Sequence, residues 1–267
     1  MGETLTPLWY HKYGVMDVLG FMSRSGTNLL KLGDNQKLLD TLPDGCPYRL
    51  VGIVSNEKKS KVVEVAAKLE VPFVLLDKFE FRREWNLTRD QAREPFHEEL
   101  YNRIKRKFDC PVAALGGYMD IIPKSFIQRF RAMENVHPAQ LDVLDAFGKR
   151  AYIGDDATQK VIASGEEYIY STVHIVTEKV DDGPILVVSP PVRIQRGKNY
   201  DPTNLEQRKN LGELHQNVLK YIGDHTAFPR ALEFTARGRF SYDSHGNYYF
   251  DEERIPKGVT LDGVVRT

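Results

Sequence analysis

The chain has 267 residues, 41% of them apolar and 28% charged, with 37 basic side chains against 37 acidic ones. That is enough chain for a sizeable core in one large α/β domain or two small ones. A formal net charge of zero disfavours a nucleic-acid-coating protein or a polybasic membrane binder. No apolar run approaches the roughly 18 residues of a membrane span, and the first residues lack the basic-then-apolar layout of a signal peptide. Cys46 and Cys110 lie far apart with no metal-site spacing, so they read as buried thiols of a reducing compartment. The expectation is a cytoplasmic protein that binds neither membrane nor nucleic acid and holds no metal.

In chain order, short β-branched runs predict strands at 14–22, 48–55, 72–76, 110–119, 171–180 and 183–194. Several are continuously apolar, as strands covered on both faces should be. Helical spacing appears between the early ones: Val62, Val63, Ala66 and Leu69 in 59–69, and Phe96, Leu100 and Ile104 in 92–108. Strand alternating with helix predicts an α/β fold with a doubly wound, mostly parallel sheet, Rossmann-like in its N-terminal half. Residues 142–170 read as a crossover excursion of loop and helix. The segment 204–238 reads as one long helix or two, followed by a hairpin turning at His245, Gly246 and Asn247. The predicted organisation is an N-terminal extension (1–13) and one domain (14–267). That domain divides into a phosphate- or nucleotide-binding half (14–132) and a catalytic half (133–267).

Three stretches carry chemistry. Ser25, Gly26, Thr27 and Asn28 lie between a strand and a helix, where uncapped backbone N–H groups can seat an anion. A plain N-cap by Ser or Thr is the competing reading, and these residues alone leave the choice open. Asn135 and His137 are two apart, so on an extended backbone both side chains face one side; Pro138 keeps His137 extended. An amide and an imidazole aimed at one point suit an oxyanion site, although a structural histidine at a capped helix start fits the same residues. Asp181 and Asp182 precede Gly183-Pro184, in a turn that either holds a carboxylate at a strand mouth or only exposes two acids to water.

Taken in order, SRSGTNL, LGGYM, NVHP, STVHIVTEKVDDGPI and DHTAFP resemble the glycinamide ribonucleotide formyltransferases. These stand within the wider group of 10-formyltetrahydrofolate-dependent formyltransferases, and the resemblance covers about residues 14–260. It implies transfer of a formyl group from 10-formyltetrahydrofolate to glycinamide ribonucleotide in purine biosynthesis. The catalytic trio falls on Asn135, His137 and Asp181, with His174 as structural support. Ser25, Gly26, Thr27, Asn28 and Arg93 would hold the acceptor's phosphate, and Asp224 its ribose hydroxyls. The pterin would lie against Tyr118, Met119, Asp120, Ile121 and Ile122 and against Thr177, Glu178, Lys179 and Val180. The implied chemistry has Asp181 keep His137 protonated and accept the amine's proton. The partners are thus a small phosphorylated amine and a folate; oligomeric state is left open, with a homodimer among the options.

The sequence departs from that pattern at Arg24, where the family usually has glycine, and at Asp120, where it often has arginine. The segment 140–162 is longer than usual and acidic (Asp142, Asp145, Asp155, Asp156). These departures keep two alternatives in view: an acceptor such as a nucleotide-linked amino sugar, and hydrolysis of formyltetrahydrofolate by water. The short N-terminal extension leaves no room for the regulatory domain expected of such hydrolases. A non-catalytic folate- or nucleotide-binding protein would have no need of all three trio residues.

Overall fold

The apolar runs build the middle of one sheet, and the helices between them cover its two faces. The structure is a computed structural model and describes residues 4–267. The first half runs β1 (Thr6–Pro7), β2 (Met16–Met22), α1 (Thr27–Leu39), β3 (Tyr48–Ser55), α2 (Val62–Leu69), β4 (Phe73–Leu75), α3 (Lys78–Glu84), α4 (Arg89–Lys105), β5 (Val112–Leu115), α5 (Lys124–Ile127) and β6 (Ala132–His137). The second half runs α6 (Ala157–Ala163), β7 (Tyr168–Ile169), β8 (Thr172–Ile175), β9 (Ile185–Val188), β10 (Val192–Arg193), α7 (Leu205–Leu219), α8 (His225–Ala236), β11 (Phe240–Tyr242), β12 (Tyr248–Phe250) and β13 (Glu253–Arg254).

The main sheet has seven strands in the order β4-β3-β2-β5-β6-β8-β9. Its first five strands are parallel, as expected of βαβ crossovers; β8 runs antiparallel to β6, and β9, antiparallel to β8, returns to the direction of the first five. The chain order reverses between β2 and β5, and ligands of such sheets sit beyond the strand C-termini at that reversal. One core layer packs α1 and α8 residues such as Leu29, Leu32, Phe228 and Leu232 on one face. The opposite layer packs Phe96 and Leu100 of α4 with Phe21, Phe126 and Phe130. Burying a side chain of this size stabilises by about 1.5–3 kcal/mol, so both helix layers hold the strand ends in fixed register.

The predicted 110–119 strand is shorter than its apolar run. β5 stops at Leu115, because Gly116 and Gly117 turn the chain out of the sheet, Gly117 with φ of 82°. The hairpin expected after the long helix is present as β11 and β12, with Gly246 at φ of 79° in its turn. β1 pairs with β11, and Leu8 and Trp9 join the main core, so residues 6–9 pack with the rest of the fold. Among the described residues no helix is long and apolar enough to cross a membrane.

Candidate active site

The seat at the end of β2 is built around Gly26. It has φ of 66° and ψ of 20° as the N-cap of α1, and no side chain caps this helix start. The capping alternative therefore does not describe the loop, and the first-turn N–H groups face a cavity of about 480 Å³. A Cβ on Gly26 would lie 2.7 Å from Met22 Sδ and 2.9 Å from Val65 Cγ2. Gly26→Ala is expected to destabilise the chain by about 1–2 kcal/mol from left-handed strain, plus repacking around Met22. That corresponds to a fall in Tm of roughly 2–8 °C, measurable by calorimetry; an unchanged Tm would mean that the seat has a different backbone.

Asn135 and His137 lie within β6 itself, two residues apart and on one side of the strand. Glu134, between β-neighbours on the other side, accepts from Thr235 Oγ1 of α8 at 2.6 Å, and burial pushes its carboxyl up to about 7. β6 pairs Asn135 with His174 of β8, so the Asn135 Nδ2 lies 3.1 Å from His174 Nε2. His174 Nδ1 is 2.9 Å from the Ile175 carbonyl and must donate to it. With Nδ1 donating, Nε2 is the ring nitrogen placed to accept from Asn135, which leaves the second N–H of that amide for the cleft.

Asp181 arrives on the turn after β8. Its carboxylate lies 3.4 Å from His137 Nδ1 and 3.6 Å from His174 Nε2, and it accepts from the Gly154 N–H at 2.8 Å. Burial alone would raise this carboxyl. Its neighbours His174 and His137 and the Gly154 N–H outweigh it and hold the group well below the usual carboxylate range. His137 Nε2 is 2.7 Å from the Tyr152 carbonyl, so Nε2 carries the proton. Burial pulls the His137 pKa below its ordinary value, against an upward push from Asp181. The resting histidine is therefore neutral, which corrects the expectation that Asp181 keeps it charged: for a ring 4% exposed, desolvation wins. Asp182 is half-exposed, paired loosely with Lys179, and does not line the cleft.

Asp224 reaches the same cleft through a single π-turn at 220–224 that joins α7 to α8, a distortion frequent at functional sites. Its carboxylate accepts from Ser171 Oγ at 2.5 Å and Asn28 Nδ2 at 3.3 Å, and burial raises it to about 6. Asn28 Oδ1 is buried with no partner, an orphan acceptor beside the seat that suits a ligand donor.

The two expected folate-facing segments form the cleft's far walls. Tyr118 to Ile122 follow β5, and Thr177 to Val180 follow β8. The first wall is fixed from behind: Met119 N donates to Ser23 Oγ at 2.7 Å, and Lys78 Nζ to the Met119 carbonyl at 2.5 Å. Asp120 does not project freely toward a ligand. Its side chain accepts from Asn56 Nδ2 at 3.3 Å and from the Ile121 N–H at 3.0 Å, closing the loop on itself.

Every sequence-derived candidate lines this one cleft except Arg93. Arg93 ion-pairs with Asp90 at 2.7 Å, and one turn earlier Arg89 faces the cleft instead. Sequence reading also passed over Lys220 and Gln216 of the same lining. Arg24 and Arg89 each stand at the positive end of a helix, an unfavourable place for a cation unless an anion joins it. Neither is within ion-pair distance of a carboxylate among the described residues. Of the four acids in the long loop only Asp155 lines the cleft. Asp142 pairs with Arg266 at 3.1 Å, Asp156 with Lys160 at 2.7 Å, and Asp145 caps its own hairpin through the Phe147 and Lys149 N–H groups. A larger groove of about 980 Å³ runs beside edge strand β4, but no amide, imidazole or hydroxyl converges there. Among the described residues no group of three or more His, Cys, Asp or Glu is placed to hold a metal ion.

The uncapped helix start after β2 and the Asn–His–Asp cluster beside β6 thus share one cleft at the switch point, where doubly wound sheets bind their ligands. The formyl transferase family model matches residues 16–218, and the chain belongs to that family. It is 29% identical to the chloroplastic phosphoribosylglycinamide formyltransferase of Arabidopsis thaliana, over 76% of this chain and 63% of that one. It is 26% identical to the Haemophilus influenzae phosphoribosylglycinamide formyltransferase, over 75% of this chain and 84% of that one. The trifunctional purine biosynthetic protein adenosine-3 of Chironomus tentans is 26% identical over 81% of this chain, which spans only 13% of that protein. Among solved structures, the phosphoribosylglycinamide formyltransferase of Coxiella burnetii superposes with a TM-score of 0.68, covering 92% of this chain and 99% of that one. At 22% identity that likeness speaks for the fold.

Proposed function

We propose that the protein transfers the formyl group of 10-formyltetrahydrofolate to the primary amine of glycinamide ribonucleotide. The observation that carries this reading is the shared cleft. An uncapped helix start with an orphan Asn28 acceptor stands at one side and the Asn135–His137–Asp181 cluster at the other. The phosphate would rest on the N–H groups of Ser25 to Asn28, with Arg24 and Arg89 as its cations and Asp224 on the ribose hydroxyls. The folate would lie between the 118–122 and 177–180 walls, with its formyl carbon toward Asn135.

Neutral His137 suits the role of proton acceptor better than Asp181. The Asp181 carboxylate is held far down its range and is a weak base, whereas His137 Nδ1 carries a lone pair that faces a carboxylate. As the amine nitrogen bonds to the formyl carbon, Asn135 donates its free N–H to the developing oxyanion and His137 takes the amine's proton. Asp181 then stabilises the imidazolium so formed. His137 returns that proton to the folate nitrogen as its bond to the formyl carbon breaks. Holding the two substrates in register contributes up to about 7–11 kcal/mol in well-oriented systems.

Incubation with 10-formyltetrahydrofolate should release tetrahydrofolate only when glycinamide ribonucleotide is present; equal release without the amine would make the protein a hydrolase. Engagement of three of the four loop acids elsewhere leaves only Asp155 facing the cleft, which weakens the case for a different, cationic acceptor. Arg24→Ala and Arg89→Ala are each expected to raise the acceptor KM about tenfold while kcat stays within about twofold, as loss of uniform binding requires. Arg93→Ala should leave that KM unchanged. The reverse ranking in steady-state kinetics would return the phosphate contact to Arg93.

A further inference from the structure

Asp181 is one of few non-glycine residues with a left-handed backbone, φ of 52°, and it holds that conformation at the centre of the cluster. Such a conformation persists only when neighbours over-determine it. The neighbours come from the long loop. Residues 143–151 form a small hairpin: Leu144 bridges Arg150, Ala151 N donates to the Val143 carbonyl at 3.0 Å, and Asp145 caps the tip. From its return strand the Arg150 guanidinium donates to two carbonyls, Asp181 O at 2.5 Å and Gly183 O at 2.8 Å. The Tyr152 carbonyl holds His137 Nε2, and the Gly154 N–H holds the Asp181 carboxylate. Residues 150, 152 and 154 thus each meet the Asp181–His137 pair, through a side chain, a carbonyl and an N–H in turn.

We propose that Arg150 is a positioning residue for Asp181, and that the unusual loop serves as a brace for the Asp181–His137 pair. The two N–H groups of a planar guanidinium fix two carbonyls on either side of Asp182, which a lysine's single ammonium cannot reproduce. Gly183 lies tight against the end of β8, where a Cβ would come 1.8 Å from the Ile175 carbonyl oxygen, so no side chain fits there. With both flanking carbonyls held, the Asp181 side chain is aimed back at His137 and His174.

The kinetic arm of the test rests on the formyl-transfer reading; the spectroscopic arm does not. In the full chain, Arg150→Met should lower kcat by about 10–100-fold with both KM values within about twofold, the pattern of lost transition-state stabilisation. Arg150→Lys should lower kcat about tenfold, and guanidinium ion should restore part of the activity of Arg150→Ala. The second readout is the His137 imidazole titration by NMR without substrates. Removing a nearby positive charge alone would raise the His137 pKa, whereas letting Asp181 swing away lowers it. We expect a fall in Arg150→Met and a smaller fall in Arg150→Lys. A rise, or a lysine variant with normal kcat and unchanged titration, would overturn the proposal. A wild-type protein inactive on the amine would sink the functional reading and leave the titration to decide the brace.

Discussion

Asp181→Asn is expected to lower kcat by roughly 10³ while folate affinity changes little, since charge stabilisation and proton transfer are each typically worth about 10²-fold or more. The substitution keeps size and the backbone bonds to Arg150, and removes only the anion. Only the Tyr152 carbonyl then opposes burial at His137, so its pKa should fall further. An asparagine amide would also donate to His137 Nδ1, satisfying the neutral ring and covering the lone pair that has to receive the amine's proton. Asp182→Asn is the internal control, because that side chain points to solvent and toward Lys179. Near-normal kcat in Asp181→Asn with a dead Asp182→Asn would show the turn to be in the wrong register.

Much of this site was legible because motif residues sit where backbone geometry is fixed locally. Two residues of one strand share a side, so Asn135 and His137 were paired by spacing alone. The uncapped helix start follows from a strand–glycine–helix junction, and the parallel sheet from alternating apolar runs and helical stripes. What escaped depends on tertiary placement. Arg89 and Arg93 are one helical turn apart, and only packing decides which faces the cleft. β1 has two residues and no pattern of its own, and its pairing with β11 spans most of the chain. The charge state of His137 is a balance of burial against a carboxylate, and burial cannot be read from neighbours in sequence. The acidic loop misled for a related reason: composition records four carboxylates, not the Arg266, Lys160 and hairpin N–H groups that engage three of them.

His137→Ala should be as damaging as Asp181→Asn, with kcat lower by roughly 10³. The informative quantity is the double variant. If His137 moves the proton and Asp181 acts through His137, removing the second partner costs almost nothing further, and His137→Ala/Asp181→Asn should fall within about threefold of either single variant. Independent roles would instead multiply to roughly 10⁶. The pH dependence separates the same possibilities. A neutral His137 must accept a proton, so wild-type kcat should be level at neutral pH and fall on acidification through a pKa below the ordinary histidine value. The acceptor KM should rise separately as Asp224 is protonated near pH 6, because a neutral carboxyl is a weaker acceptor for the ribose hydroxyls. His137→Ala should lose the acidic limb of kcat and keep the limb in KM. Should the kcat limb survive in His137→Ala, the proton goes elsewhere, and Asp181 becomes the base after all.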